Sequence, residues 1–203
     1  AGVELHPGHA PTLDELNALH PYAILDATGG LPAVPARIPG AQDSPLVCTP
    51  PDILTGKLQP TGEVIAVIGS GMTGLETAEI LSAPEKDNAV LVVEAAPRLA
   101  PGVYGSNRNA VTAVLDLNNA VCLTSRALTK VGTDRISLTD PQTGEEYTYP
   151  CQRVVLALGT TPTKPYGEAL ETVCSRVFSV GDAAKSGMIW DAVHGGYHAA
   201  REL

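Results

Sequence analysis

One phenylalanine, one tryptophan and 13 basic side chains among 203 residues are the scarcities of this chain. So few aromatic rings leave little on which nucleic-acid bases could stack. Acidic residues number 22 and the formal net charge is −9, so no basic stripe is available to neutralise phosphates and nucleic acid is excluded as a partner. No apolar run approaches the length of a membrane span, and no basic-apolar-small leader opens the sequence. A cytoplasmic protein without a membrane partner is expected. Cysteine is scarce as well. Cys48, Cys122, Cys151 and Cys174 are scattered without a C-x-x-C pair, which excludes a dithiol redox centre in this chain and reads as small buried thiols. The chain starts Ala-Gly-Val-Glu-Leu, without methionine, and Val3 to Leu5 reads as a strand already inside a fold. It is expected to be a piece of a longer protein.

What is present is organised around residues 64–76. Val64 to Ile68 is an apolar, β-branched run that reads as a strand buried on both faces. Gly69, Gly71 and Gly74 follow at G-x-G-x-x-G spacing, and Leu75 to Leu81 continues as a helix. The first glycine allows a tight turn out of the strand, and the second lets the backbone approach a diphosphate. The third brings the helix close to the sheet, while the helix N-terminus offers free N–H groups and positive dipole. A second strand, Ala89 to Val93, ends at Glu94, twenty positions beyond Gly74, where a carboxylate can accept ribose hydroxyls of an adenosine. Gly69, Ser70, Gly71, Met72, Thr73, Gly74 and Glu94 are therefore the candidate residues for NAD(P)H.

The remainder falls into short elements. Thr12 caps a helix from Leu13 to Leu19 with Glu15 at capping-box spacing, and Tyr22 to Ala27 reads as a strand. Residues 31–51 are rich in proline and glycine and read as a crossing linker, followed by one helical turn at Pro51 to Leu54. After a loop at Pro97 and Pro101-Gly102, Ser106 is placed to cap a helix from Asn107 to Leu117. Strands are expected at Val121 to Thr124, Leu128 to Val131, Ile136 to Thr139 and Glu146 to Tyr149, the last two forming a hairpin. Arg153 to Leu158 and Val177 to Val180 read as further strands, and Met188 to Glu202 as a closing helix. Two strands ending in Ala-x-Gly and then proline bracket the central unit, as in a domain inserted into another.

Ala27-Thr28-Gly29, Gly69 to Glu76 with Glu94, Ala157-Leu158-Gly159 and Val180-Gly181-Asp182-Ala183 together resemble the pyridine nucleotide–disulfide oxidoreductase flavoproteins. Pro51 to Lys57, Val93 to Leu99 and Asp191 to Arg201 are similar to the C-terminal region of old-yellow-enzyme-like NADH:flavin oxidoreductases, the group of 2,4-dienoyl-CoA reductase and trimethylamine dehydrogenase. The resemblance implies an α/β, Rossmann-like two-dinucleotide fold. A partial FAD-binding domain (1–45) is expected to hold an inserted NAD(P)-binding domain (46–152), with a return segment (153–203). It implies a parent with an upstream barrel domain that carries FMN and an iron–sulfur cluster, and a first FAD fingerprint that this sequence lacks. Weak or no FAD binding is therefore expected of this chain alone.

The resemblance also implies that Asp182, after Gly181, accepts a hydroxyl of the flavin ribityl chain, and that Met188 and Ile189 begin a helix near the flavin ring. Gly159 belongs to the same cofactor-binding set. Glu94 favours NADH, whereas Arg98 offers a partner for a 2′-phosphate. No side chain is needed as acid, base or nucleophile, so the catalytic set is empty. His194 and His198 have helical i, i+4 spacing without a third ligand, so no metal site is expected. The function implied is hydride transfer from NAD(P)H to FAD within an enoate-reductase-like parent. The rivals are a structural ADP-binding module without turnover, and part of a disulfide reductase or NADH oxidase.

Overall fold

The computed structural model describes residues 2–203. Two compact units divide it: a terminal unit running to Leu31 and resuming over Thr160–Leu203, and a central unit, Pro32–Gly159. The first terminal segment holds α1 (Leu13–Ala18), β1 (Ile24–Asp26) and β2 (Gly30–Pro32). The central unit runs β3 (Val47–Cys48), α2 (Pro50–Leu54), β4 (Val64–Ile68), α3 (Met72–Leu81), β5 (Ala89–Val93), α4 (Gly105–Leu117) and β6 (Val121–Leu123). It then continues through β7 (Ala127–Val131), β8 (Arg135–Thr139), β9 (Glu146–Pro150) and β10 (Arg153–Leu156). The chain returns with β11 (Thr160–Pro162), α5 (Leu170–Val173), β12 (Val177–Ser179) and α6 (Ile189–Arg201).

The central unit is a parallel sheet in the order β3-β10-β4-β5-β6, with β4 in the middle. Its β4 reads as continuously apolar because both faces are covered. Ile65 and Val67 cluster with Leu75 and Leu81 of α3 and with Val111 and Leu115 of α4. Ala66 and Ile68, one step out of phase, cluster with Ile136 and Leu138 of the antiparallel sheet β7-β8-β9. Ile65, Val67, Leu75, Leu81, Leu115, Ile136 and Leu138 are fully buried, and each such side chain contributes roughly 1.5–3 kcal/mol.

The units divide at 31/32 and 159/160, not at 45/46 and 152/153. Residues after 31 join the central unit because Ile38 and Ala41 bury against β8, and the Val131 N–H donates to Pro39 O at 2.9 Å. The strand β10 joins it because it pairs with β4 from Arg153 to Leu156. A bidentate ion pair of Arg153 with Glu63, 2.8 and 2.9 Å, holds that end of the pairing. In the terminal unit β1 pairs with β12, parallel from Ile24–Val177 to Asp26–Ser179. Val3 to Leu5 forms no strand, and its two apolar side chains are largely exposed.

Helix starts moved in two places. Gly71 is the N-cap of α3, so the helix opens at Met72, three residues before Leu75. In α4 the N-cap is Tyr104, which leaves Ser106 inside the first turn. The capping box of α1 forms as expected: Thr12 N–H donates to a Glu15 carboxylate oxygen at 2.7 Å, and Glu15 N–H donates to Thr12 Oγ1.

Asp52 does the same for α2. It accepts from Lys57 Nζ (2.7 Å) and from Thr49 N–H (2.9 Å), and these donors, Lys57 foremost, hold its carboxyl at about 2. A carboxyl lowered on folding adds stability above its unfolded value, and that stability is lost as pH falls through the folded value. Lys57 is mostly exposed, so solvent screening leaves about 1 kcal/mol. Asp52→Asn is expected to cost that amount at neutral pH. Urea midpoints of the variant and the parent should converge as pH falls from about 4 towards 2.

Candidate functional site

Three glycines after β4 meet three different environments, and the differences define the site. Gly69 has φ +101°, and a Cβ there would lie 2.3 Å from Ala157 O. Gly74 would place a Cβ 2.1 Å from Gly69 O and 3.1 Å from Ala157 Cβ, so the first turn of α3 lies directly on the strand end. Gly71 has φ −58°, open to any residue, yet a Cβ there would meet nothing within 4 Å. Its missing side chain leaves free space in front of the helix entrance.

No side chain caps α3, and its first turn carries no acidic residue. The N–H groups of Met72, Thr73 and Gly74 find no acceptor among the described residues. Thr73 is exposed, and Met72 packs partly against the core. Uncapped donors, the positive end of a ten-residue helix and an open face where a Cβ is missing fit a diphosphate.

Ser70 turns inward. It is fully buried, its N–H donates to Glu94 Oε2 (3.1 Å), and its hydroxyl donates to the same oxygen. The hydroxyl also accepts from Ala100 N–H at 2.8 Å, so neither donor of Ser70 faces the open side of the turn. Glu94 Oε1 accepts from Ala96 N–H at 2.8 Å. Three of the roughly four acceptor positions of the carboxylate are thus filled from within, which leaves one on Oε1. Glu94 is half-buried and lines a cavity of about 160 Å³ with Gly69, Ala95, Arg126 and Leu128.

Arg126, which the sequence reading passed over, lies on that wall. Its guanidinium stacks 3.8 Å from the Tyr147 ring centroid and donates to Asp140 (2.9 Å) and to Ser125 O (2.7 Å). Its Nε is buried without a partner. Nothing in the sequence pattern marks Arg126, because its partners come from β9 and the turn after β8. Arg98 donates to Pro101 O at 3.2 Å. Gly159 is exposed with φ +87°, and its carbonyl accepts from Ala33 N–H at 2.9 Å.

In the terminal unit, Gly181 and Asp182 form a one-turn 3₁₀ helix after β12. Gly181 has φ +58°, and a Cβ there would lie 3.2 Å from Ala192 Cβ of α6. Asp182 accepts from Gly187 N–H (3.1 Å) and from Thr160 Oγ1 (3.3 Å). Gly181 also lines a cavity of about 430 Å³ with Gly187, Asp191, Gly195 and His198. Met188 is the N-cap of α6, its N–H donating to Asp191 at 2.8 Å, and the Met188 and Ile189 side chains are exposed. Among the described residues no group of three histidine, cysteine or acidic side chains could hold a metal. All four cysteines are free, and burial pushes Cys48 and Cys151 up to about 11. Among the described residues no helix is long and apolar enough to cross a membrane.

The family described as pyridine nucleotide-disulphide oxidoreductase matches residues 14–200. An NADH oxidase of Thermoanaerobacter brockii is 30% identical over 206 residues, covering 100% of this chain and 31% of that protein. A bilirubin reductase of Mediterraneibacter gnavus (strain CC55_001C) is 29% identical over 202 residues, 99% of this chain and 30% of that protein. A 2-naphthoyl-CoA reductase structure superposes with a TM-score of 0.84 at 25% identity, over 100% of this chain and 30% of its own. The chain therefore spans about a third of the length of the relatives it matches.

Proposed function

Because the chain belongs to the pyridine nucleotide-disulphide oxidoreductase family, we propose that it is the NAD(P)H-binding segment of a flavin-dependent oxidoreductase. The central unit is the NAD(P)-binding domain in this reading, and the terminal unit is the later part of an FAD-binding domain. One observation carries it: of the three fingerprint glycines, two lie against backbone and one faces open space. A turn made only for compactness has no need of the middle glycine at φ −58°.

The N–H groups of Met72, Thr73 and Gly74 would hold the diphosphate, with Gly71 allowing close approach and Glu94 Oε1 accepting a ribose hydroxyl. In the FAD part, Asp182 would accept from the ribityl chain, next to Gly181, with Met188 and Ile189 towards the flavin; Gly159, the last residue of the central unit, is kept in the cofactor-binding set. When bound, the nicotinamide and flavin supply the hydride chemistry, and the protein supplies orientation and electrostatics. No side chain of this chain is required as acid, base or nucleophile.

We extend the reading to the parent: a cytoplasmic NADH:flavin oxidoreductase of the enoate-reductase type, with FMN and an iron–sulfur cluster in an upstream barrel domain. A disulfide reductase gains no support from Cys48 and Cys151, since free, buried thiols raised to about 11 are poor nucleophiles. The test is calorimetric titration of the purified chain with NADH, NADPH and ADP. NADH binding, with NADH-dependent flavin reduction in the parent, is the expected result. ADP binding without any NADH-driven flavin reduction would instead favour a structural nucleotide module, and binding of neither nucleotide would end the reading.

A further inference from the structure

The geometry points to Ser70 as a positioning residue that sets recognition of the adenosine ribose without touching the nucleotide. This rests on the dinucleotide reading of the central unit and deepens it. Ser70 has no exposed surface, so it cannot meet a ligand directly. It instead gives Glu94 Oε2 two hydrogen bonds, from its N–H and its hydroxyl. Both acceptor positions of that oxygen are thereby filled. The hydroxyl is itself oriented by Ala100 N–H at 2.8 Å, which leaves its one proton for the carboxylate. Ala96 N–H takes one position on Oε1.

The consequence is a carboxylate with one rotamer and one free acceptor position. A carboxylate that turned freely would present up to four positions in many directions and would discriminate poorly. Held in this way, it offers one charge-assisted hydrogen bond to one ribose hydroxyl. Of the arginines near it, Arg126 is committed to Asp140, Ser125 O and the Tyr147 ring, Arg98 donates to Pro101 O, and Arg37, which lines the same cavity, is exposed to solvent and makes no ion pair with Glu94 among the described residues.

The experiment compares ADP with 2′-deoxy-ADP on the purified chain by calorimetry, with NADH against NADPH as a second ratio. The unaltered chain is expected to prefer ADP by about tenfold, the value of one hydrogen bond to a charged group. Ser70→Ala should bring that preference to within about twofold and narrow the NADH/NADPH ratio alongside it. In a Glu94→Ala background, Ser70→Ala should change neither ratio, because the residue it positions is gone. Ser70→Gly provides a second route if Ser70→Ala fails to fold, and a loss of stability alone would move both affinities together and leave the ratios unchanged. A Ser70 variant that keeps the tenfold preference overturns the inference while leaving the site reading intact. An unaltered chain that binds ADP without discriminating overturns it too, and one that binds no ADP removes the site reading and the inference with it.

Discussion

Gly71→Asp is expected to abolish NADH binding while leaving the fold in place. The backbone at Gly71 has φ −58° and its Cβ direction is empty, so an aspartate fits there without strain. It even suits the end of a helix, since an aspartate at the N-cap is among the preferred residues. What it removes is the space and the positive field. A carboxylate in front of three uncapped N–H groups takes the donors and repels a diphosphate. Like charges brought together at a binding surface cost several kcal/mol, so affinity should fall by about a hundredfold or more. Thermal unfolding should shift by no more than about 2 °C, or rise, because the capping gain is about 1 kcal/mol or less relative to glycine. Tight NADH binding by the variant would mean that the nucleotide lies elsewhere.

The opposite division is expected two residues earlier. Gly69→Ala should destabilise the central unit strongly, because two costs act together. Its φ of +101° lies in a region that side chains rarely adopt, at about 1–3 kcal/mol. Its Cβ would also lie 2.3 Å from Ala157 O, a backbone atom that belongs to the β4–β10 side of the sheet and cannot swing aside. Overpacking adds about 1–3 kcal/mol more. The sum, roughly 2–6 kcal/mol, is a large part of the stability of a domain of this size. Urea unfolding measures it directly, and an unchanged midpoint would show that the strand-to-helix bend is looser than the geometry requires. Together the two variants separate a glycine needed by the ligand from one needed by the backbone.

The different surroundings of the two glycines were legible before any coordinates. The spacing of Gly69, Gly71 and Gly74 between an apolar strand and a helix assigns each glycine its role through backbone geometry alone. The capping box at Thr12–Glu15, the parallel strands β4 and β5 and the antiparallel sheet were likewise readable, since each depends on local pattern and turn chemistry. Less readable was which unit claimed each strand. An apolar run ending in Ala-x-Gly is the same signal at residue 27 and at residue 157. Yet β1 pairs with β12, and β10 pairs with β3 and β4. Pairing is decided by neighbours far along the chain, and a strand's own composition does not carry it.

By itself, then, the sequence determined the strand–glycine turn–helix architecture of residues 64–81, the lack of a C-x-x-C pair and the acidic residue that follows β5. These are properties of short segments and of composition, which local sterics and charge dictate. Tertiary structure alone decided that Ser70 faces the interior and that Glu94 keeps one open acceptor position. It also decided that the Arg126 guanidinium is engaged by Asp140 and Tyr147. Each of those depends on donors at Ala96 and Ala100 and on the acceptor at Asp140, whose backbone or side-chain groups become partners only once the chain has folded around them.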